Sequence, residues 1–110
     1  MSGFHVEKSY VITGVGSTPI TFDIDLSTIK NKFNGFCTAE VSAGGENVVV
    51  RFGAAADATV GGDYSLTDGN YYVRRGAILN RDISSQITTA SVVAAGAATA
   101  DVVINFGIEK

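Results

Sequence analysis

The segment Ile20-Thr-Phe-Asp-Ile-Asp-Leu26 alternates apolar and polar side chains without a break. Its four apolar residues fall on one face of an extended chain, and its threonine and two aspartates fall on the other. The segment therefore predicts a half-buried β-strand, with one face on a core and the other in solvent.

The composition extends this prediction to the whole chain. Val, Ile and Thr number 32 among the 110 residues, against 3 Leu and 1 Met. β-branched side chains lose rotamer freedom in helices and pack well on pleated surfaces. We count about eight short strand patterns between turn residues. We therefore predict an all-β protein, a single antiparallel β-sandwich of either jelly-roll or immunoglobulin-like topology.

Each of the other predicted strands is a β-prone run bounded by Gly, Pro, Asn or Asp. Asp68-Gly69 is typical of a tight hairpin turn. Residues 27–34 are polar, with Ile29 and Phe33 at helical spacing, and they predict at most one short helical turn. Residues 1–9 are predicted to form an N-terminal arm that is free to order on assembly, and residues 10–110 the sandwich domain. The other strands are predicted at 6–12, 36–41, 48–52, 63–67, 71–75, 83–93 and 100–108.

The charge balance argues against nucleic acid as a partner. The net charge is −3 and the basic residues are scattered, with Arg74-Arg75 as the only adjacent basic pair. Nucleic-acid binders normally carry a basic patch. No apolar run approaches the roughly 20 residues of a membrane span. The N-terminus lacks the apolar core of a signal peptide, so we expect synthesis in a cytoplasm and no membrane partner.

The residues that catalysis requires are scarce. His5 is the only histidine and lies in the predicted arm, so a hydrolytic triad lacks its base. Cys37 shares a predicted strand face with apolar residues, which is typical of a small buried hydrophobe. Asp23 and Asp25 share a face and are candidates for a common cation or proton, but we favour an ordinary solvated strand face, which their apolar neighbours Phe22 and Ile24 already explain. We expect no enzyme, no cofactor and no metal.

Aromatic and arginine side chains form the candidate protein interface. Tyr71, Tyr72, Arg74 and Arg75 share one predicted strand, so both of its faces carry them. Tyr and Arg are enriched in binding hot spots. The alternative is a strand with one buried tyrosine and an ordinary charged outer face. Phe4, in the predicted arm, completes the candidate set.

Valine residues on nominally outward strand faces are a second sign of contact. Val11, Val49 and Val103 stand where a solvated face favours Thr, Lys or Glu. A partly apolar outer face predicts an oligomer or partner contact, although sandwich edges also bury such residues.

Two segments carry a resemblance to a known group of proteins. The first is Val48-Val-Val-Arg-Phe-Gly53, followed by a Gly/Ala-rich loop and Gly62-Asp-Tyr-Ser-Leu66. The second is the Thr/Ser-rich run at 84–93, followed by Ala100-Asp-Val-Val-Ile-Asn-Phe-Gly107. Together they resemble small structural proteins of tailed bacteriophages, of the head-decoration or capsid-cement type, over about the last 65 residues.

This resemblance implies a virion structural protein on the capsid exterior, with the major capsid protein or other virion subunits as partners. It also implies a homo-oligomer, with a trimer favoured, and an arm that reaches a neighbouring subunit. The alternative function is a carbohydrate- or receptor-binding sandwich module of a phage tail or cell surface, because exposed tyrosines stack on sugar rings. A small enzyme is the third possibility.

Overall fold

The computed structural model describes residues 4–29, 35–53 and 70–109. These residues form eight β-strands and no helix. The strands are β1 (Phe4–Val15), β2 (Ile20–Asp23), β3 (Phe36–Gly44), β4 (Val48–Phe52), β5 (Asn70–Val73), β6 (Ile78–Ser84), β7 (Thr89–Ala94) and β8 (Ala100–Glu109).

The strands form two four-stranded antiparallel sheets, which confirms the predicted β-sandwich. Sheet A has the order β1-β8-β3-β6, and sheet B has the order β2-β7-β4-β5. Every strand therefore pairs with the strand that mirrors it along the chain: β1 with β8, β2 with β7, β3 with β6, and β4 with β5. This is the winding of a long hairpin folded over into a jelly roll. An immunoglobulin-like sandwich would have strands 1, 2, 5 and 4 in one sheet.

The first strand begins earlier than predicted. β1 starts at Phe4, and Phe4 pairs with Glu109 at the end of β8, so the predicted arm belongs to the sandwich from that residue onward. A β-bulge interrupts the pairing between Val6 and Lys8. An extra residue in a strand moves all later side chains to the opposite face. The alternation on which the prediction depended is therefore lost across the bulge.

Residues 83–93, predicted as one strand, belong to two strands in different sheets. β6 ends at Ser84, and β7 begins at Thr89. Between them the buried Ser85 donates its backbone N–H to the Gly35 carbonyl at 2.8 Å. The N–H of Gln86 is held by the Ser84 hydroxyl at 3.2 Å. The bond from Ser85 to Gly35 joins distant parts of the chain, so the local sequence did not reveal the turn.

Two further predictions fall partly outside the described residues. In the 27–34 segment, the described part is a single turn in which the Ile29 N–H donates to the Leu26 carbonyl at 2.9 Å, and residues 30–34 lie outside. The predicted strand at 63–67 and the Asp68-Gly69 turn lie outside as well. The strand predicted at 71–75 is β5, which ends at Val73, so both following arginines lie in a turn.

The core lies between the two sheets around Phe106. This side chain is fully buried, and its ring meets those of Tyr10 and Phe52 edge-to-face, each with ring centroids 5.9 Å apart. Ile24 and Leu26, which continue the alternation of β2 beyond its end, are buried in the same cluster. Apolar burial on this scale is the main source of stability in a sandwich of this size.

The sandwich has two sides, each made of one edge strand from either sheet. On one side β1 lies over β2, because the rings of Tyr10 and Phe22 are 6.0 Å apart and the Asp25 N–H donates to the Tyr10 hydroxyl at 2.7 Å. On the other side β6 lies over β5, because the Arg81 guanidinium lies 5.7 Å from the centre of the Tyr71 ring. The candidate binding residues are distributed over these two edges.

Candidate protein interface at the β5–β6 edge

Three of the predicted interface residues come together at the turn between β5 and β6. Tyr72 projects from the outer face of sheet B and is partly exposed, and Arg74 and Arg75 are exposed in the turn. Ile78, at the start of β6, is 63% exposed beside them. We call these four residues the β5–β6 patch. They adjoin a shallow cleft of about 230 Å³, which is lined by Tyr72, Val73, Arg74, Ala77, Ile78 and Leu79.

The turn that carries the patch is fixed by hydrogen bonds from its backbone N–H groups. Gly76 adopts a φ of 78°, a left-handed conformation that glycine tolerates without strain. Its N–H donates to the Ala43 carbonyl at 2.8 Å. The Arg75 N–H donates to the Asn47 side-chain oxygen at 2.9 Å. Because the backbone is fixed, a partner would need to order only the two arginine side chains.

Tyr71, also predicted at the interface, is instead a core residue. It is 8% exposed, and its ring lies 6.0 Å from that of Phe52. The alternation within β5 explains this position, since Tyr71 and Val73 face the core and Tyr72 faces outward. The outcome matches the alternative of one buried tyrosine, and Tyr71 is excluded from the contact surface.

Phe4 lies far from the β5–β6 patch. It is half-buried at the start of β1, opposite Glu109 at one end of β8. The turn of the patch is bonded to Ala43, which pairs with Val102 near the other end of β8. Phe4 therefore lies at the opposite end and on the opposite edge of the sandwich.

Ile78 is the member of the patch that sequence reasoning missed. The prediction placed the start of the following strand at residue 83, whereas β6 begins at Ile78. The available signal was the apolar triplet Ala77-Ile-Leu79 directly after a turn glycine. Because side chains alternate along a strand, either Ile78 or Leu79 must face outward in a strand formed by that triplet.

The outward valines divide into two groups. Val49 is completely buried and packs with Val93 and Ala95 in a small cluster on the outer face of sheet B. Val11 is 67% exposed, and Val103 beside it is half-buried. Only these last two, on the outer face of sheet A, remain available to a partner.

Two of the polar residues weighed for chemistry, His5 and Asp25, have structural partners. His5 Nε2 lies 2.9 Å from a Glu7 carboxylate oxygen. Asp25 lies beyond the end of β2, and its Oδ1 accepts the Ser27 N–H at 3.0 Å. Within the described ranges, no three His, Cys, Asp or Glu side chains are grouped to hold a metal ion. The structure thus places Asp25 in a turn rather than on the strand face that Asp23 occupies.

Glu46 was not singled out by sequence and connects two loops near the patch. Its carboxylate accepts the N–H of Asn47 at 2.8 Å and that of Ala98 at 3.3 Å. These two hydrogen bonds, with a smaller contribution from the charge of Arg75, lower the pKa of Glu46 below its ordinary value. The same Glu46 charge lies close enough to Arg75 to offset part of the positive potential of the patch.

Cys37 is buried on β3, and we expect its thiol to be inert in the folded protein. Burial, assisted by the charge of Asp82, raises the pKa of this thiol from 9.0 to about 11. Because the thiolate is the reactive form, we expect a disulfide reagent such as DTNB to label Cys37 at near-neutral pH only after denaturation. Rapid stoichiometric labelling of the native protein would contradict this.

The raised pKa of the Cys37 thiol also makes the free energy of unfolding depend on pH. Between pH 9.0 and about 11 the unfolded thiol ionises while the folded thiol stays neutral. The contribution of Cys37 to the free energy of unfolding is therefore complete below pH 9.0 and decreases as the pH rises through this window.

Comparison of the sequence with protein families and curated proteins found no relative. No protein-family model matches the chain, and no curated protein is significantly similar to it. Among the described residues, no helix has the length and apolar character needed to cross a bilayer. The fold and the patch define a jelly-roll protein with a preorganised surface of the composition found in protein interfaces.

Proposed function

We propose that this protein is a virion structural protein, a decoration or cement subunit that stabilises the head of a tailed bacteriophage. Its partners are the major capsid protein or other virion subunits, and it acts as a homo-oligomer, with a trimer favoured by the resemblance described above. It is made in the host cytoplasm and resides in the virion. The observation that carries this proposal is the β5–β6 patch at the edge of a jelly-roll fold.

The composition of the β5–β6 patch suits protein–protein contact. It combines an aromatic ring, one guanidinium group and an aliphatic side chain around a cleft, and a second guanidinium group is exposed in the adjoining turn. Aromatic and arginine side chains bury large area and still satisfy their polar ends, so they dominate hot spots. In a particle the same contact repeats at every joint, so modest single affinities add up to strong retention.

Binding to phage heads tests the proposal. Purified protein is mixed with expanded heads that lack decoration, and saturable co-sedimentation is measured. We expect wild-type protein to bind, and the double variant Tyr72→Ala/Arg74→Ala to bind about tenfold more weakly or worse, as for loss of hot-spot residues. A far-ultraviolet spectrum and a thermal transition show that the variant is folded.

Phe36→Ala provides the matched control, because Phe36 is 61% exposed on β3 and lies outside the patch. We expect it to bind heads like the wild type. No saturable binding by wild-type protein would refute the virion role. Equal weakening by Phe36→Ala and the patch variant would refute the assignment of the contact to the β5–β6 patch.

A further inference from the structure

The two edges of sheet A carry exposed apolar side chains at the same level. Among the described residues, Val11 on β1 and Ile78 on β6 are the two most exposed large apolar side chains, at 67% and 63%. The strand register aligns Ile78 with Ser42, Ser42 with Val103, and Val103 with Val11. These four residues, three of them apolar, form one transverse row on the outer face, with an exposed apolar group at either end. We call it the apolar row.

We propose that the β5–β6 patch binds the β1–β2 edge of a second copy of this chain, in a head-to-tail contact. This inference rests on the proposed function, because it takes the β5–β6 patch as the contact surface. It adds that the partner at this surface is a second copy of the chain. With β6 of one copy beside β1 of the next at the same level, Ile78 packs on Val11 of the second copy. The apolar row then continues from copy to copy.

The strand directions permit this contact. Sheet A is antiparallel throughout, so β1 and β6 run in opposite directions across its three pairings. Two copies in the same orientation therefore bring β6 and β1 together as antiparallel neighbours. Edge strands present unpaired backbone N–H and C=O groups, which an antiparallel neighbour of suitable length satisfies. β6 has 7 residues and β1 has 12, so β1 spans the whole length of its partner.

One pair of opposite charges lies at nearly the same level of the two edges, and the arginines are all on one side of the sandwich. All four arginines of the chain lie on the β4–β6 side, at 51, 74, 75 and 81. The opposite side carries Glu7 on β1 and Asp23 on β2. Asp101 is exposed, and its Oδ1 accepts the Gly14 N–H of β1 at 3.1 Å. The register places Asp101 next to the level of Arg75, so the contact brings the two charges together.

Like charges also meet at two places in this contact. Asp82 of β6 is aligned with Val6 through Thr38 and Gly107, so it lies next to Glu7 in the bulge of β1. The register aligns Arg81 with Lys8 through Ala39 and Phe106. Each of these cations lies over a tyrosine ring: Lys8 over Tyr10 at 5.9 Å, and Arg81 over Tyr71 of the facing sheet at 5.7 Å. This position keeps both charges on the inward side of the edge, away from the outer apolar row.

The oligomeric state of the full chain, measured by sedimentation velocity over a concentration series, tests the inference. We expect the wild-type protein to self-associate, and Ile78→Asp and Val11→Asp each to be monomeric, since either change places a carboxylate in the apolar row. Both sites are solvent-exposed in the single chain, so both variants should fold. Phe36→Asp, an equally exposed site on the same outer face but on an inner strand, should associate like the wild type.

Mixing the two monomeric variants identifies the head-to-tail arrangement. Ile78→Asp retains a normal β1 edge and Val11→Asp retains a normal β6 edge, so the mixture should form a 1:1 dimer through one intact contact. A symmetric contact of either edge with itself would leave one variant dimeric on its own. Wild-type protein that remains monomeric, or a mixture that forms no dimer, would overturn the inference.

The two proposals fail in different experiments. Monomeric wild-type protein that still saturates phage heads would refute the head-to-tail contact and the homo-oligomer, and would leave the virion role standing. Head-to-tail assembly without any binding to heads would refute the virion role and leave the contact standing.

Discussion

Replacing Phe106 by alanine is expected to lower the free energy of unfolding by about 3–5 kcal/mol. The Phe106 side chain is completely buried, and its ring is held between those of Tyr10 and Phe52. Its neighbour across the β3–β8 pairing is Ala39, and the small side chain of this residue leaves room for the phenylalanine ring. Truncation removes the transfer free energy of the ring and leaves a cavity that two rigid sheets cannot close.

Urea denaturation of the wild type and the variant measures this loss as a shift of the midpoint at constant slope. Phe36→Ala is the matched control, because it makes the same chemical change at a side chain that is 61% exposed. We expect the control to change stability by less than about 1 kcal/mol. Equal losses at the two positions would show that the core is not organised around Phe106.

Gly107→Ala is expected to destabilise the protein by about 3 kcal/mol, although only one methyl group is added. Gly107 lies on β8 opposite Val6, beside the bulge of β1. A Cβ at this position would overlap the backbone carbonyl of His5 and come within 3.0 Å of the Val6 Cα. These are backbone atoms of a paired strand, so they cannot move aside as a flexible side chain would.

Gly44→Ala serves as the control for Gly107→Ala. A Cβ on Gly44, at the end of β3, meets no atom within 4 Å. Both changes reduce the freedom of the unfolded chain by the same amount, so the difference in midpoint between them reports the clash alone. If Gly107→Ala is as stable as Gly44→Ala, β1 does not approach β8 as closely as described.

Much of the sandwich was predictable because its strands alternate locally. The periodicity of residues 20–26 and of the last strand follows from one buried face and one exposed face, and neither depends on which strand is the neighbour. The same alternation, applied to residues 71–73, correctly separates a buried tyrosine from an exposed one once the core face is known.

The start of β1 and the division of residues 83–93 were not predictable for a physical reason. The bulge in β1 and the turn at Ser85 depend on hydrogen bonds to β8 and to Gly35, which are distant in the chain. Local propensity contains no information about such partners, and it is weak for polar β-prone runs.

The sequence by itself determined the class of the protein, because β-branched composition and period-two patterning admit only half-buried extended strands. Only the tertiary structure decided the jelly-roll order of those strands and the position of Ile78 beside Tyr72 and Arg74. Strand order and surface neighbours are set by which backbone edges pair across the whole chain, and side-chain alternation within one strand is the same for every such pairing.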